Sequence, residues 1–331
     1  MPETAPVNAL RSGQWFKLIC GASYQHLPTV RNLCFIYAKA GADCIDVAAD
    51  PSVVRVAREG IEAAGASPWL MVSISNGEDL HFRKAEFDAQ WCPPSCSAPC
   101  QRVCPTEAIT WEGVITDRCY GCGRCLPVCP WGMIRTREQR YDWRDLVDLP
   151  IDALEIHTSS DRVAEFAQLW QELSPWLGQL KLVAVSFPDH PHLERNLRAL
   201  LGVMQPPPPL LLWQTDGRPM SGDIGAGTTH QAIRLGQKVL DMHLPGFVQL
   251  AGGTNAATVT YLQDLPISGV AYGSYARALV SDLLDRLPPG AKIEDFPVIL
   301  EQALTRVAPF VNSLKQRSLQ AYVGHSTQTG H

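Results

Sequence analysis

Eight short apolar runs, each closing on small or polar residues, set the strongest limit on how this chain folds: Lys17–Ser23, Cys44–Ala49, Trp69–Ser75, Ala153–His157, Lys181–Phe187, Leu210–Gln214, Phe247–Ala251 and Gly269–Gly273. Runs of this length without alternation are strands buried on both faces. Helical patterns lie between most of them. Asp50 followed by Pro51 is a helix start and Gly65 a helix stop. Val163, Phe166, Ala167 and Trp170 share one face, as do Ala232, Leu235 and Val239 between Thr229 and Met242. Strand–helix alternation repeated eight times predicts an α/β fold, a (β/α)8 TIM-like barrel. An open doubly wound sheet is the competing architecture, disfavoured by the strand count. At 331 residues the chain is long enough to bury such a core.

The third unit is the irregular one. Between its strand and a short helix expected near Asp142–Val147 lie eight of the 11 cysteines. The second half of that stretch, Cys119, Cys122, Cys125 and Cys129 followed by Pro130, has the spacing of a bacterial ferredoxin. Zinc is the alternative for paired CxxC motifs, but four cysteines closed by Cys-Pro fit a zinc ribbon poorly. The first half, CPPSCSAPCQRVCPTEAI from Cys92 to Ile109, ends in a quasi-repeat: Cys104-Pro105 to Ile109 parallels Cys129-Pro130 to Ile134. Cys92, Cys96 and Cys100 are each one residue further apart than the motif requires, with Pro93, Pro94 and Pro99 stiffening the loop between them.

On the two-cluster pattern the Cys-Pro cysteines exchange between halves. One iron–sulfur cluster then takes Cys104, Cys119, Cys122 and Cys125, and the other takes Cys92, Cys96, Cys100 and Cys129. Both are expected as [4Fe–4S], with an iron-deficient [3Fe–4S] form as the alternative at the irregular site. A degenerate, cluster-free first half and a radical-SAM reading of the padded spacing are the rival interpretations; the last gap and the position after the third strand speak against the latter. The whole is thus expected to be a barrel carrying an inserted bacterial-type two-cluster ferredoxin (α+β) module. Residues 1–87 and 139–290 form the barrel, 88–138 the insertion, and 291–331 a C-terminal helical extension and polar tail. Cys20, Cys34 and Cys44 sit among apolar neighbours and read as core residues.

Catalysis in such barrels sits at the C-terminal ends of the strands. These ends carry Tyr24, Gln25, His26, Asp50, Asn76, His157, Thr158, Asp189, His190, Asp216 and Arg218. His157 reads first as a hydrogen-bonded structural residue. The last two loops, AGGTNAAT and AYGSYARAL, resemble a phosphate-binding corner, with Gly252, Gly253, Thr254, Asn255, Gly273 and Ser274 as candidates for a phosphate or flavin. No Ser-His-Asp set, HExxH or Walker loop is present, so no catalytic residues are assigned. A net charge of −5 gives no basic footprint for nucleic acid. No apolar run reaches transmembrane length, and the N-terminus lacks a secretory pattern, so a cytoplasmic location is expected.

Through GQWFKLICGASYQHLPTVRNLCFIYAKAGADCIDVAADP, the cysteine module, and SGDIGAGTTHQAIRLG to GVAYGSYARALV, the chain resembles the light-dependent period family of cyanobacteria and related phototrophs. The likeness covers nearly all of residues 13–315. It implies an iron–sulfur protein in an input pathway to the circadian clock, conveying redox state set by light and photosynthetic electron flow, and in association with clock proteins. The eight module cysteines match the family pattern one by one. A redox sensor is therefore the leading expectation. An oxidoreductase passing electrons from the clusters to a flavin or substrate at the barrel mouth is the alternative, and a purely structural role for the clusters is the third reading.

Overall fold

A computed structural model describes residues 5–77, 79–139, 141–217, 226–262 and 265–317. Twelve strands are present among them: β1 (Trp15–Ile19), β2 (Cys44–Ala48), β3 (Trp69–Ser75), β4 (Arg83–Glu86), β5 (Ile109–Thr110), β6 (Gly113–Val114), β7 (Arg135–Glu138), β8 (Ala153–His157), β9 (Leu182–Phe187), β10 (Leu211–Asp216), β11 (Phe247–Ala251) and β12 (Gly269–Tyr272). Eight of these close a parallel barrel in the order β1-β2-β3-β8-β9-β10-β11-β12, with β12 returning to β1. They are the eight apolar runs, each shifted by a few residues at most.

The helices are α1 (Ala5–Ser12), α2 (Leu27–Lys39), α3 (Pro51–Ala63), α4 (Pro99–Arg102), α5 (Cys125–Val128), α6 (Val163–Leu177), α7 (Leu193–Val203), α8 (Thr229–Leu240), α9 (Thr258–Leu262), α10 (Ser274–Ala278), α11 (Ser281–Leu284) and α12 (Pro297–Lys315). Asp50 caps α3 by accepting from the backbone N–H groups of Ser52 and Val53, and Gly65 follows the helix with φ +65°. The third unit departs from the expected pattern. In place of a helix near Asp142–Val147 there is a single 3₁₀ turn, Trp143–Leu146, capped by Asp142. Four residues of one turn form no covering helix, and Trp143 instead lies stacked on Trp176 of α6, with ring centroids 5.9 Å apart. C-terminal helix α12 packs outside the barrel, where Phe310 meets Phe16 and Tyr272 at ring-centroid distances of 5.4 and 4.6 Å. The polar tail after it, residues 318–331, and Arg218 lie outside the described residues.

Alternation along each strand divides the barrel into two cores. Outward-facing Phe16, Leu18, Ile45, Val47, Leu70 and Val72 join the helices in the main core. The interior is apolar only at its N-terminal end, where Trp15, Cys44, Trp69, Met71, Leu182 and Leu212 pack against Ala9 and Leu10 of α1. That first helix closes the barrel floor. It had no counterpart in the sequence expectations, because eight residues carry too little periodicity to stand out.

The cysteine-rich stretch rises from the mouth on an antiparallel neck in which Arg83 pairs with Glu138 and Glu86 with Arg135. The neck strand β4 lies before residue 88, the expected start of the insertion. Inside the module a small core of Ala85, Ala108, Ile109, Cys119, Cys125 and Ile134 is buried.

Barrel closure requires a close approach at Gly269. A Cβ there would lie 2.4 Å from the Trp15 carbonyl oxygen and 2.6 Å from its Cβ. Gly269→Ala is therefore expected to destabilise the fold by about 1–3 kcal/mol in urea unfolding. Gly202→Ala, on an open face of α7 with nothing within 4 Å, is expected to stabilise by about 0.4–1 kcal/mol.

Candidate functional site

The eight module cysteines collect into two separate concavities. Cys104, Cys119, Cys122 and Cys125 line one, together with Ala85, Thr106 and Gly123. Cys92, Cys96, Cys100 and Cys129 line the other, together with Phe87, Met133 and Ile134. Backbone N–H groups point at the sulfurs. Ala108 donates to Cys104 Sγ at 3.2 Å, and Met133 to Cys129 Sγ at 3.4 Å, the same contact in both halves of the quasi-repeat. Ala85 on the neck donates to Cys119 Sγ at 3.3 Å. Gly121 and Gly123 take φ of +76° and +71°, which lets the chain fold back between closely spaced cysteines.

A buried thiol resists ionisation, and burial pushes Cys125 up to about 12. At Cys129 burial acts the same way, but backbone N–H groups of residues 131–134 outweigh it and lower its value. Four sulfurs lining one cavity with N–H donors aimed at them are a donor set that fits an iron–sulfur cluster. The two cavities differ in cover. Cys119 and Cys125 are buried and Cys104 and Cys122 partly so, whereas all four cysteines of the second group are only partly buried. Trp91 and Trp131 flank this second group with 70% and 60% of their surface exposed. Within the second of the two padded gaps Ala98 adopts a left-handed turn (φ +49°) immediately before α4.

The first cysteine cavity opens onto the barrel. Gly121 and Cys122 line both it and a larger cavity at the mouth, whose walls include Asp46, His81, Glu155, His157, Gln214, Asp216 and Gly253. The module is seated there by several contacts. Gln25 N–H donates to the Asp117 carbonyl at 3.0 Å, and Ser23 Oγ to the His81 carbonyl at 2.9 Å. The Arg277 guanidinium lies 4.2 Å from the Tyr120 ring centre while donating to the Ile19 carbonyl at 2.8 Å. Thus the loop bearing Cys119 and Cys122 is stacked directly on the ends of β12 and β1.

Below this roof the barrel interior is charged. Lys17 Nζ is fully buried and bonds Glu155, Asp46 Oδ2 (3.1 Å) and Gln214 Oε1 (3.0 Å). Gln214 Nε2 donates to Glu155 Oε1 at 2.7 Å and to Ser186 Oγ at 3.1 Å, and Gln249 joins it to Trp15. His157 Nε2 meets Glu155 Oε1 at 2.7 Å and its Nδ1 meets Asp79 Oδ2 at 3.3 Å. Asp79 Oδ1 also meets His81 Nδ1 at 2.8 Å.

Burial, with Glu155 nearby and Asp79 also close to Asp216, pushes Asp46 and Asp216 up to about 6 despite nearby cations. At Glu155 burial is outweighed by Lys17 and His157, which bring it to about 2. The same carboxylate pairing overcomes burial at His157 and Lys17 and raises both.

Of the residues expected at the mouth, His157 and Asp216 line the cavity. His157, read as a structural histidine, is hydrogen-bonded on both ring nitrogens and still faces the cavity. Asp50 instead caps α3 and accepts from Gln25 Nε2 at 2.8 Å, while Asp189 pairs with Lys238. Gly252, Gly253, Thr254, Gly273 and Ser274 line the cavity, but Asn255 does not. Its amide donates to Thr228 Oγ1 and the Gly253 carbonyl, and its Oδ1 accepts from Ala257, so it holds the loop. Thr254 Oγ1 donates to the Ala271 carbonyl at 2.5 Å. Cys20, Cys34 and Cys44 are buried in the core. Lys17, Asp46, Asp79, His81, Glu155, Gln214 and Arg277 were not anticipated. The signal for four of them was a polar residue set among the apolar residues of a strand: Lys17 in WFKLI, Asp46 in CIDVA, Glu155 in ALEIH and Gln214 in LLWQTD.

Comparison with known proteins agrees with this architecture. Residues 92–140 match a family model described as the LdpA Fe-S cluster-binding domain, and residues 146–313 one described as the Light dependent period A C-terminal domain. The chain is 50% identical over 348 residues to Light dependent period A of Synechococcus elongatus, covering 98% of this chain and 99% of that one. Its cysteine-rich part is 43% identical over 66 residues to an uncharacterized ferredoxin-like protein of Escherichia coli, covering 18% of this chain and 31% of that one. An uncharacterized ferredoxin of Methanocaldococcus jannaschii is 39% identical over 64 residues, 17% of this chain and 39% of that one. Residues 92–140 are thus an iron–sulfur-binding domain. Among the described residues no helix is long and apolar enough to cross a membrane.

Removing the Lys17 ammonium leaves Asp46 and Glu155 buried without their counter-ion. Lys17→Met is expected to cost about 3–5 kcal/mol, measured by urea unfolding of anaerobically prepared protein.

Proposed function

The chain belongs to the light dependent period A family, and we propose that it is an iron–sulfur protein that conveys cellular redox state, as set by light, to the circadian clock. The observation that carries this reading is the gathering of eight cysteines into two sets of four, one seated on the barrel and one flanked by exposed tryptophans. Cys104, Cys119, Cys122 and Cys125 are the proposed ligands of an inner [4Fe–4S] cluster. Cys92, Cys96, Cys100 and Cys129 are those of an outer one, for which [3Fe–4S] is the iron-poor form. Bound there, such clusters supply one-electron redox chemistry.

The protein's part is to make the two sites unequal. Ala85 and Ala108 donate to inner sulfurs in a buried setting, and hydrogen bonds to sulfur together with solvent exposure tune a cluster's potential. At the outer site the padded loop from Cys92 to Cys100, with Trp91 and Trp131 beside it, presents any change in packing to a partner. A switch of this kind needs a segment with two arrangements that the redox event biases. The proposed partners are clock proteins, with carriers of photosynthetic electron flow as the redox source.

The shared wall formed by Gly121 and Cys122 favours one further reading. In it the inner site exchanges electrons with a flavin or substrate at the barrel mouth. Acid precipitation of the purified protein separates the two: flavin in the supernatant supports the enzyme, iron and sulfide alone support the sensor.

Cys119→Ser and Cys96→Ser are each expected to remove about half of the bound iron while leaving the other cluster. Iron quantification of anaerobic preparations checks this; loss of all iron in either variant contradicts independent sites. Limited proteolysis of oxidised and reduced protein is expected to differ within residues 92–100. Identical patterns, with identical binding to clock proteins, contradict the sensor.

A further inference from the structure

We propose that Asp79, His81 and His157 form a binding site for a divalent first-row transition-metal ion at the neck of the insertion, separate from the cysteine cavities. Each of the three offers a ligand atom, and the three atoms lie within 4.8 Å of one another. Two imidazoles and one carboxylate are a donor set suited to zinc, iron(II), cobalt(II) or manganese(II).

Three observations go beyond this proximity. First, both histidines have a carboxylate behind the ring nitrogen that faces away from Asp79. His157 Nδ1 faces Asp79, while its Nε2 meets Glu155 Oε1 at 2.7 Å. His81 Nδ1 faces Asp79, while its Nε2 looks toward Asp216 Oδ2 at 3.9 Å. A carboxylate on the outer nitrogen orients a metal-bound imidazole and fixes its tautomer. His157 makes this contact outright, while at His81 the Asp216 carboxylate stands near the outer nitrogen without a hydrogen bond.

Second, Asp216 Oδ1 is buried and has no hydrogen-bond partner among the described residues. A buried carboxylate oxygen without a donor is costly, and the positive charge that a bound ion lends to the His81 imidazole, whose Nε2 faces Asp216, reduces that cost.

Third, the carboxylates of Asp46, Asp79, Glu155 and Asp216 share the barrel mouth with two fixed cations, Lys17 and Arg277, and with the imidazoles of His81 and His157. A divalent ion bound to the imidazoles takes the place of their protons, so it balances these carboxylates without adding a buried residue.

The three ligands come from two structural units. His157 ends β8 of the barrel, whereas Asp79 and His81 lie on the turn leading into β4, the first strand of the neck. Ser23 Oγ holds this turn through the His81 carbonyl at 2.9 Å. A metal here clips the insertion to the barrel. His81 and His157 also line the mouth cavity, so the coordination positions left open face the space roofed by Cys122. Water or a small oxygen-donor ligand completes the set there.

The test is equilibrium dialysis of the cluster-loaded full chain against Zn²⁺ under anaerobic conditions, with zinc and iron quantified together. The expected result is one zinc retained per chain in addition to the cluster iron, and its loss in Asp79→Asn, His81→Gln and His157→Gln with the iron content unchanged. If His157→Gln, the most buried change, fails to fold, the two neck variants decide. No retained zinc overturns the proposal and leaves the cluster as carboxylate–imidazole hydrogen bonds only. Zinc retained equally by the neck variants overturns it too, since the ion then sits elsewhere, on cysteines or surface groups. Because iron is counted in the same samples, failure of this site and failure of the cysteine sites are distinguishable.

Discussion

The buried ammonium of Lys17 is the contact on which the barrel mouth depends. An ion placed inside a barrel with no access to water must be neutralised there, and Lys17 draws Asp46, Glu155 and Gln214 around itself. Through Glu155 that order passes to His157, through His157 to Asp79, and through Asp79 to His81 on the neck. The cysteine module is therefore joined to the barrel by a chain of charged contacts as well as by the β4–β7 ladder. Its roof contact, Arg277 against Tyr120, completes the seat from the opposite side. A barrel built only for stability would carry an apolar layer at this height, as it does at its floor.

Two consequences follow for the cysteine sites. The inner group shares Gly121 and Cys122 with the charged cavity, so an electron added there is placed beside a field of fixed carboxylates and imidazoles. The outer group shares no lining residue with this cavity, and exposed tryptophans flank its partly buried cysteines. Clusters held in such unequal surroundings would differ in potential and in susceptibility to attack by solvent and oxidants. That inequality is the physical basis of the proposal that the outer site senses and the inner one anchors or relays.

Much of this was readable from the chain alone, for identifiable reasons. Strands buried on both faces leave unbroken apolar runs, which is why all eight barrel strands could be located. Cysteine spacing and the repeated Cys-Pro likewise suggested two groups of four before any coordinates. The interior polar layer was not readable. A lysine within WFKLI looks like a lapse in an apolar run until barrel closure shows that Lys17, Asp46, Glu155 and Gln214 point at one another across strands far apart in sequence. Asp79 and His81 were missed because the neck turn has no periodicity and its partner, His157, lies 76 residues beyond His81. The missing third helix was misjudged because Asp142 does cap a turn, but the turn stops at Leu146. Asn255, grouped with the glycines of its loop, belongs to the loop's own scaffold.

The central claim is that the two cysteine sites hold clusters of unequal stability and that the outer one responds first. Electron paramagnetic resonance of anaerobically purified protein, recorded during stepwise exposure to air, tests it most directly. The account predicts that a [3Fe–4S] signal grows in while the inner cluster persists, and that the signal is absent in Cys129→Ser but present in Cys104→Ser. Simultaneous loss of both clusters without that signal, or a signal that follows Cys104 instead of Cys129, would contradict it.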